Sequence, residues 1–593
     1  MADQAVSPPD IFELTSRPGI KRDGTDLDNP YWQDGQWIRF QRGRIKKMGG
    51  YEAISQQIVG PARAVHVDSR GGLNRAHVFT EWGVEQVTFD LNGTPSGSVF
   101  DRTPAGFTHN SLYTWQAASM FQGGGVGAPY LIAAATPDLA AIDSDTAGPV
   151  YSGDITGTGT LTAVSDGSPI TVSGGCVVLQ PVLFVYGSNG LIRNSNANDI
   201  STATGWTTGG SNLANEANVA ATKIIKGLPI RGGGQSPAGL FWALDALIRV
   251  SFVGGTQLWQ YDTLSDDTTI MSKNGVVEYD NVYFWMGTDR FYMFNGIVQE
   301  LPNQMNINWV FDNLNISQRQ KVWALKVPRY GEIWWHFPYG SDTECSAVAI
   351  FNVREGTWYD TRIMRSAGFP AKVFSEPVMS GDPLTTTAFT YTPTGGAFIV
   401  GESIQGLTSG ATGKVARATG AAINLTNVTG AFINGENISD ITHGGIDTGT
   451  ITSISFTQQL DTLYHHEHGY DKVVGATVSA IQAYGQSSNI QWVTGGPLAD
   501  GGTSQGANFQ LRLCRVEPDF ILIGSLSLTV KGKSYAQGSN RDSDPFTIEA
   551  DTEKVDLREQ RRELSVKIES NEAGGFFEMG KVLITAEPGD ERG

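Results

Sequence analysis

The property that most restricts this chain is its punctuation: short apolar runs, each stopped by a turn that carries glycine or proline. Ala64–Asp68, Arg75–Thr80 and Val84–Asp90 come before Asn92-Gly93, Val177–Tyr186 before Gly187, and Leu240–Val253 before Gly254-Gly255. Val276–Met286 stops at Gly287, Phe291–Phe294 at Asn295-Gly296, and Ile333–Phe337 at Pro338. Asn-Gly between apolar runs signals a hairpin, because both central residues of a type I′ turn need φ > 0. Strand–turn units spaced this closely over about 330 residues fit six or so sheets of roughly 45–50 residues each, the arithmetic of a β-propeller. A double sandwich also satisfies the spacing, and the propeller is the preferred reading. One helix interrupts the region, Asn306–Lys321, with Ile307, Val310, Phe311 and Leu314 near helical spacing. Composition agrees with an all-β chain: 72 glycines among 593 residues, 14 Trp, 18 Tyr and 27 Phe, and only 17% charged residues. Disordered chains and helical repeats have the opposite balance.

Four segments are expected. Residues 1–60 form an extended basic arm, punctuated by Pro8, Pro9, Pro18 and Pro30. Within it Arg39, Arg42, Arg44, Lys46 and Lys47 fall in nine residues without an acidic side chain. They mark either a solvated face or a strap that docks on an acidic neighbouring subunit. Residues 61–389 are the propeller core. Residues 390–458 are an island of Gly, Thr, Ala, Ile and Asn, in which Gly396-Ala-Phe-Ile-Val-Gly401-Glu402-Ser-Ile404 recurs as Gly430-Ala-Phe-Ile-Asn-Gly435-Glu436-Asn-Ile438. Two copies imply an inserted β-repeat module, read as surface decoration in preference to a ligand site. Residues 459–593 regain charge, and Leu522–Val530, Phe546–Ala550, Leu564–Glu569 and Lys581–Ala586 read as amphipathic strands of a C-terminal β-rich platform. Arg558, Arg561 and Arg562 interleave there with Glu559 and Glu563, as in a salt-linked patch.

The sequence offers no catalytic, cofactor or metal site. His465-His466-Glu467-His468 places only His466 and His468 on one strand face, and no second cluster completes a metal ligand set. Gly532-Lys533-Ser534 resembles the tail of a phosphate-binding loop, but Ser527 stands where the first glycine is needed and no helix follows. Asp266-Asp267 and Asp542/Asp544 keep the Ser and Gly company of turns. Cys176, Cys345 and Cys514 lack disulfide or zinc spacing and read as buried apolar fillers. The formal charge of -18 argues against gripping nucleic acid by its phosphates, while an acidic wall repels DNA without sticking. No basic stretch leads into an apolar run at the start, and the strongest apolar runs are short or interrupted, so neither a signal peptide nor a membrane span is expected.

Several strings resemble the tail nozzle (tail-tubular) proteins of short-tailed bacteriophages. They are Pro18-Gly-Ile-Lys-Arg-Asp-Gly-Thr25, Trp37-Ile-Arg-Phe40-Gln-Arg-Gly-Arg44 and Met48-Gly-Gly-Tyr51 near the start. Further along come Gly275–Gly287, Phe291–Gly296, Val298–Pro302, Glu332-Ile-Trp-Trp335, Asn352–Tyr359, Tyr464-His-His-Glu467 and Glu517-Pro-Asp-Phe520. The likeness covers most of the chain outside residues 390–458. It implies a non-enzymatic structural protein without a cofactor, built on a β-propeller and assembled as a homo-hexameric ring below the head–tail adaptor. It also implies fibres or spikes as neighbours, DNA passing through the lumen without specific binding, and a place in the virion tail after assembly in the host cytoplasm. A receptor-binding fibre or spike component is the alternative.

Overall fold

The structure is a computed structural model that describes residues 10–591 apart from 15, 26–28, 91, 95–98, 123–127, 138–144, 231–236, 371–375, 494–495, 499–508 and 536–537. It is an all-β protein with a propeller core, an inserted β-module and a C-terminal β-rich platform.

Six consecutive antiparallel meanders build the first six blades. Their innermost strands are Ala62–Arg70, Tyr113–Gln122, Gly175–Leu179, Ile224–Pro229, Val276–Tyr279 and Trp323–Val327. The seventh blade is assembled from distant parts of the chain. Arg365–Phe369 is its inner strand, Val378–Pro393 and Thr448–His466 follow, and Tyr51–Val59 from the N-terminal region is added on the outside. Each blade buries its apolar faces against its neighbours, giving a separate cluster at each of the seven interfaces. Blades four and five meet through Trp242, Tyr283 and Trp285, and blades seven and one through Ile54, Val65, Val78 and Leu463. Burying a large side chain in this way contributes about 1.5–3 kcal/mol.

Three runs that read as single strands are hairpins. Val177–Tyr186 turns at Gln180-Pro181, Leu240–Val253 at residues 244–246, and Val276–Met286 at Asp280-Asn281. Asp280 and Asn281 have φ of 50° and 65°, so they supply a two-residue turn without glycine. The expected helix is shorter than its pattern: Ile307–Asn313 is α-helical, and a 3-10 stretch, Ile316–Lys321, follows.

The inserted module is a closed barrel. Val378–Pro393 pairs in turn with Ala422–Thr429, Thr412–Thr419, Ser403–Gly406, Asn437–Asp440 and Thr448–His466, which returns to Val378–Pro393. Closure leaves no unpaired edge to recruit another chain. The repeat is its pseudo-twofold: Gln405 faces Ser439, its equivalent in the other copy, and the pair Ile404–Asp440 mirrors Gly406–Ile438. Glu402 and Glu436 perform the same task in each copy, accepting the backbone N–H of Ile399 (2.9 Å) and Ile433 (2.6 Å).

The N-terminal arm differs from its expectation. It is extended, but it is woven into its own chain. Asp10–Glu13 pairs with Leu583–Glu591, Asp34–Gln36 with Ala483–Gln486, and Arg44–Lys47 meets Phe576–Met579. The platform is therefore built from both ends of the sequence. Leu526–Lys533 alternates buried and half-exposed residues along its whole length, and its apolar side chains join the cluster that continues into blades six and seven.

Candidate functional site

The five basic residues separate into two groups. Arg39 and Lys47 are interior, which corrects the expectation that all five serve a subunit interface. The strands Ile38–Gln41 and Arg44–Lys47 form a hairpin packed on both faces: Ile38, Arg39 and Phe40 are buried in succession on one strand, Ile45 and Lys47 on the other, and Arg39 and Lys47 lie on opposite faces. Lys47 donates to the carbonyl of Gly575 at 2.7 Å, and burial lowers its pKa. Lys46 is half-buried beside Glu578 at 3.5 Å. Arg42 and Arg44 project from the hairpin tip and are exposed.

Arg39 is the centre of a buried charge network. Its Nη1 and Nη2 donate to the two oxygens of Glu467, both at 2.7 Å, and Nη2 also donates to Glu332 at 3.2 Å. The guanidinium stacks 3.6 Å from the centre of the Tyr330 ring. Glu332 in turn accepts from the Tyr359 hydroxyl (2.6 Å) and the Trp334 indole (2.9 Å). Burial pushes the Glu332 carboxyl up, opposed by Arg39 and reinforced by Glu467. A fork of donors matches two carboxylates in a way an ammonium does not.

Two further networks flank it. Arg365 donates from Nε to His466 at 2.8 Å and from Nη1 to Asp382 at 3.0 Å, with Tyr51 and Tyr464 against its guanidinium. His466 is held well below its usual pKa by burial and by Arg365, so it accepts as a neutral ring. Arg22 bridges Asp34 (2.5 Å) and Asp360 (2.8 Å). Its neighbour Asp23 accepts from the backbone N–H groups of Asn308 (2.9 Å) and Trp309 (3.0 Å), capping the helix Ile307–Asn313, whose own Asn306 makes no side-chain cap. The arm thereby holds blades five and six as well as the platform.

The other motifs resolve separately. Gly532 and Lys533 lie inside the strand Leu526–Lys533, paired with Glu563–Ser570, and form no phosphate loop. Asp267 sits in a turn, and Asp542 pairs with Lys531 at 2.9 Å. Cys176 and Cys345 are buried as expected, whereas Cys514 is half-exposed. Arg561 and Arg562 pair within the chain with Glu559 and Glu563. The histidine run behaves unlike its strand-face reading. Glu467 adopts φ of 61°, which ends the strand and folds His468 back onto His465, with ring centroids 5.3 Å apart. Glu376 joins them, and one ligand atom from each of the three lies within 4.8 Å of the others. A second such group is Glu402, His443 and Asp447 on the barrel. Neither grouping is signalled by sequence spacing, since Glu376 and Glu402 come from distant loops.

Arg63, Lys226 and Trp323 from three inner strands, with Asn274 just before a fourth, line a cavity of about 140 Å³ on the propeller axis. Among the described residues no helix is long and apolar enough to cross a membrane.

No protein-family model and no curated protein matches the chain. Solved structures share only distant likeness. An exo-β-1,3-galactanase from Phanerochaete chrysosporium is 10% identical with a TM-score of 0.28, covering 89% of this chain and all of its own. A putative 6-phosphogluconolactonase from Bacteroides uniformis is 11% identical with a TM-score of 0.33, covering 64% of this chain and all of its own. A puromycin hydrolase is 14% identical with a TM-score of 0.31, covering 56% of this chain and 51% of its own. All three are enzymes by name, and at these scores they assign no activity to this chain.

Proposed function

We propose that the chain is a structural, non-enzymatic ring subunit of a short-tailed phage tail: a nozzle below the head–tail adaptor that forms part of the genome ejection channel. One observation carries the reading. The strings that resemble nozzle proteins lie hundreds of residues apart, yet Arg39, Glu332, Tyr359 and Glu467 come from four different strings and meet in a single buried network. Pro18 and Arg22 of a fifth string bond to Thr357 and Asp360, on the same strand as Tyr359. The resemblance therefore follows one three-dimensional junction between propeller, arm and platform, as expected if it reflects a common architecture.

Function as a conduit then rests on assembly. A 140 Å³ cavity on the propeller axis is far too small for duplex DNA, whose major groove alone is about 12 Å wide, so the lumen would lie between protomers. Six copies at -18 each would give that ring a formal charge of about -108 before screening, a wall that does not retain phosphates. Arg42 and Arg44, exposed at a hairpin tip, are the members of the basic set available to a neighbouring acidic protomer or adaptor. Such a protein would be assembled in the host cytoplasm and carried in the virion tail.

Mass photometry and electron microscopy of the purified chain with its adaptor test the reading: rings of six support it, and a lone monomer in every condition refutes it. Arg42→Glu with Arg44→Glu is expected to impair ring formation while leaving the far-UV CD spectrum and unfolding midpoint unchanged. Normal rings from that variant would retire the docking role of the hairpin tip.

A further inference from the structure

We propose that Glu376, His465 and His468 form a binding site for a divalent transition metal, zinc by its chemistry, placed at the seam where the propeller closes. The donors are already gathered: one ligand atom from each lies within 4.8 Å of the others, and His465 Nε2 is 2.9 Å from a Glu376 oxygen. Bonds of about 2.0–2.2 Å to a tetrahedral ion place ligand atoms roughly 3.3–3.5 Å apart, so small side-chain rotations complete the set. Two imidazoles and one carboxylate are a zinc donor set that leaves a fourth position open.

The site is held on several sides. His465 is buried at the end of Thr448–His466, in register with Glu52 of the closing strand Tyr51–Val59. Gly93 of blade one presses on the ring so closely that a Cβ there would lie 2.8 Å from His465 Nδ1. His468 is fixed by the turn at Glu467, whose own carboxylate is committed to Arg39. His468 Nε2 also lies 3.4 Å from Glu52, a carboxylate–imidazole contact of the kind that orients metal-bound histidines.

The open side has a defined setting. Glu376 and His468 line a cavity of 350 Å³ between propeller and platform, whose wall also carries Lys46, Arg329 and Tyr330. A water or small anion completes the coordination there. Glu376 leads into Val378–Pro393 and His465 lies at the end of Thr448–His466, so the ion joins two chain segments of blade seven, and Glu52 of the N-terminal strand supports it through His468. Its role is structural: it pins a closure made otherwise by hydrogen bonds and packing.

The test uses the tag-free full chain, stripped with chelator and titrated with Zn²⁺ by calorimetry, with bound metal counted by mass spectrometry after dialysis. The expected result is one zinc per chain, with affinity at least tenfold weaker in His468→Gln and Glu376→Gln. His443→Gln, which disables the barrel cluster, retains full affinity. Co²⁺ is expected to give the visible absorption bands of a four-coordinate site in the wild-type chain, a readout that needs no variant. No retained zinc, unchanged affinity in both seam variants, or loss in His443→Gln alone would each overturn the assignment.

Discussion

Arg39→Met isolates the interaction on which the junction depends. The substitution keeps a long side chain but removes the donors that serve Glu467 at 2.7 Å and Glu332 at 3.2 Å, leaving two buried carboxyls without their cation. One escape is open to such a group: it binds a proton. A carboxyl with an ordinary value of 4.5 is three pH units away from protonation at pH 7.5, and each unit costs about 1.4 kcal/mol, so relief of one carboxyl costs about 4 kcal/mol. That agrees with the roughly 3–5 kcal/mol measured when one partner of a buried pair is removed. At pH 5 the same relief costs about 0.7 kcal/mol. The sign follows from linkage: in the variant the folded carboxyl has a raised pKa, so its contribution is full below 4.5 and is lost as pH rises through the folded value. Urea unfolding followed by tryptophan fluorescence reads this directly, because Trp334 donates to Glu332 and Trp37 lies in the same core. The expected deficit is about 4 kcal/mol at pH 7.5, shrinking to about 1 kcal/mol at pH 5. A deficit below about 1 kcal/mol at pH 7.5, or one that does not change with pH, refutes the reasoning.

Two further outcomes follow from the same structure. Glu344 is buried, which alone would raise it, but Arg63 and Lys321 pull its carboxyl down to about 2. Its contribution, about 3 kcal/mol, is therefore present above its ordinary value of 4.5 and lost as pH falls toward 2, and Glu344→Gln is expected to remove it at pH 7 in an acid-unfolding series. Replacing residues 386–458 by Asn-Gly joins Thr385 to its antiparallel partner Gln459 and deletes the barrel. Combined with Glu85→Gln, because Arg417 of the barrel pairs with Glu85, the shortened chain is expected to keep a cooperative unfolding transition and its far-UV CD shape. Loss of that transition would show that the barrel is part of the folding unit.

The sequence was legible where structure is local. Glycine-stopped apolar runs found the blades, the repeat found the inserted module, and alternation found platform strands at Phe546–Ile548, Glu563–Ser570 and Leu583–Glu591; the run Leu522–Val530 is instead divided between Phe520–Ile523 and Leu526–Lys533, which pair with different partners. Turns made without glycine, such as Asp280-Asn281, hid three hairpins inside single runs. The count of blades was hidden for a different reason: blade seven is built from Tyr51–Val59, Arg365–Phe369 and two long strands interrupted by the barrel, so no contiguous stretch announces it. The basic cluster was visible, but its division was not. Charge runs show which residues are cationic, whereas the burial of Arg39 depends on Glu332 and Glu467, which are remote in the chain. The histidine run was seen but its geometry was not: a left-handed Glu467 ends the strand and brings His468 to His465, beside Glu376 from another loop, instead of onto the strand face of His466.

Closing blade seven with Tyr51–Val59 also sets a schedule for biosynthesis. The strand that pairs with it, ending at His466, leaves the ribosome about 400 residues later, an interval of roughly 20–80 s at 5–20 residues per second. Throughout that time the early strand is a donor without an acceptor, and once Arg362 has emerged the six blades form an open arc. The nascent chain must keep that segment from pairing elsewhere until translation has passed the far side of the barrel.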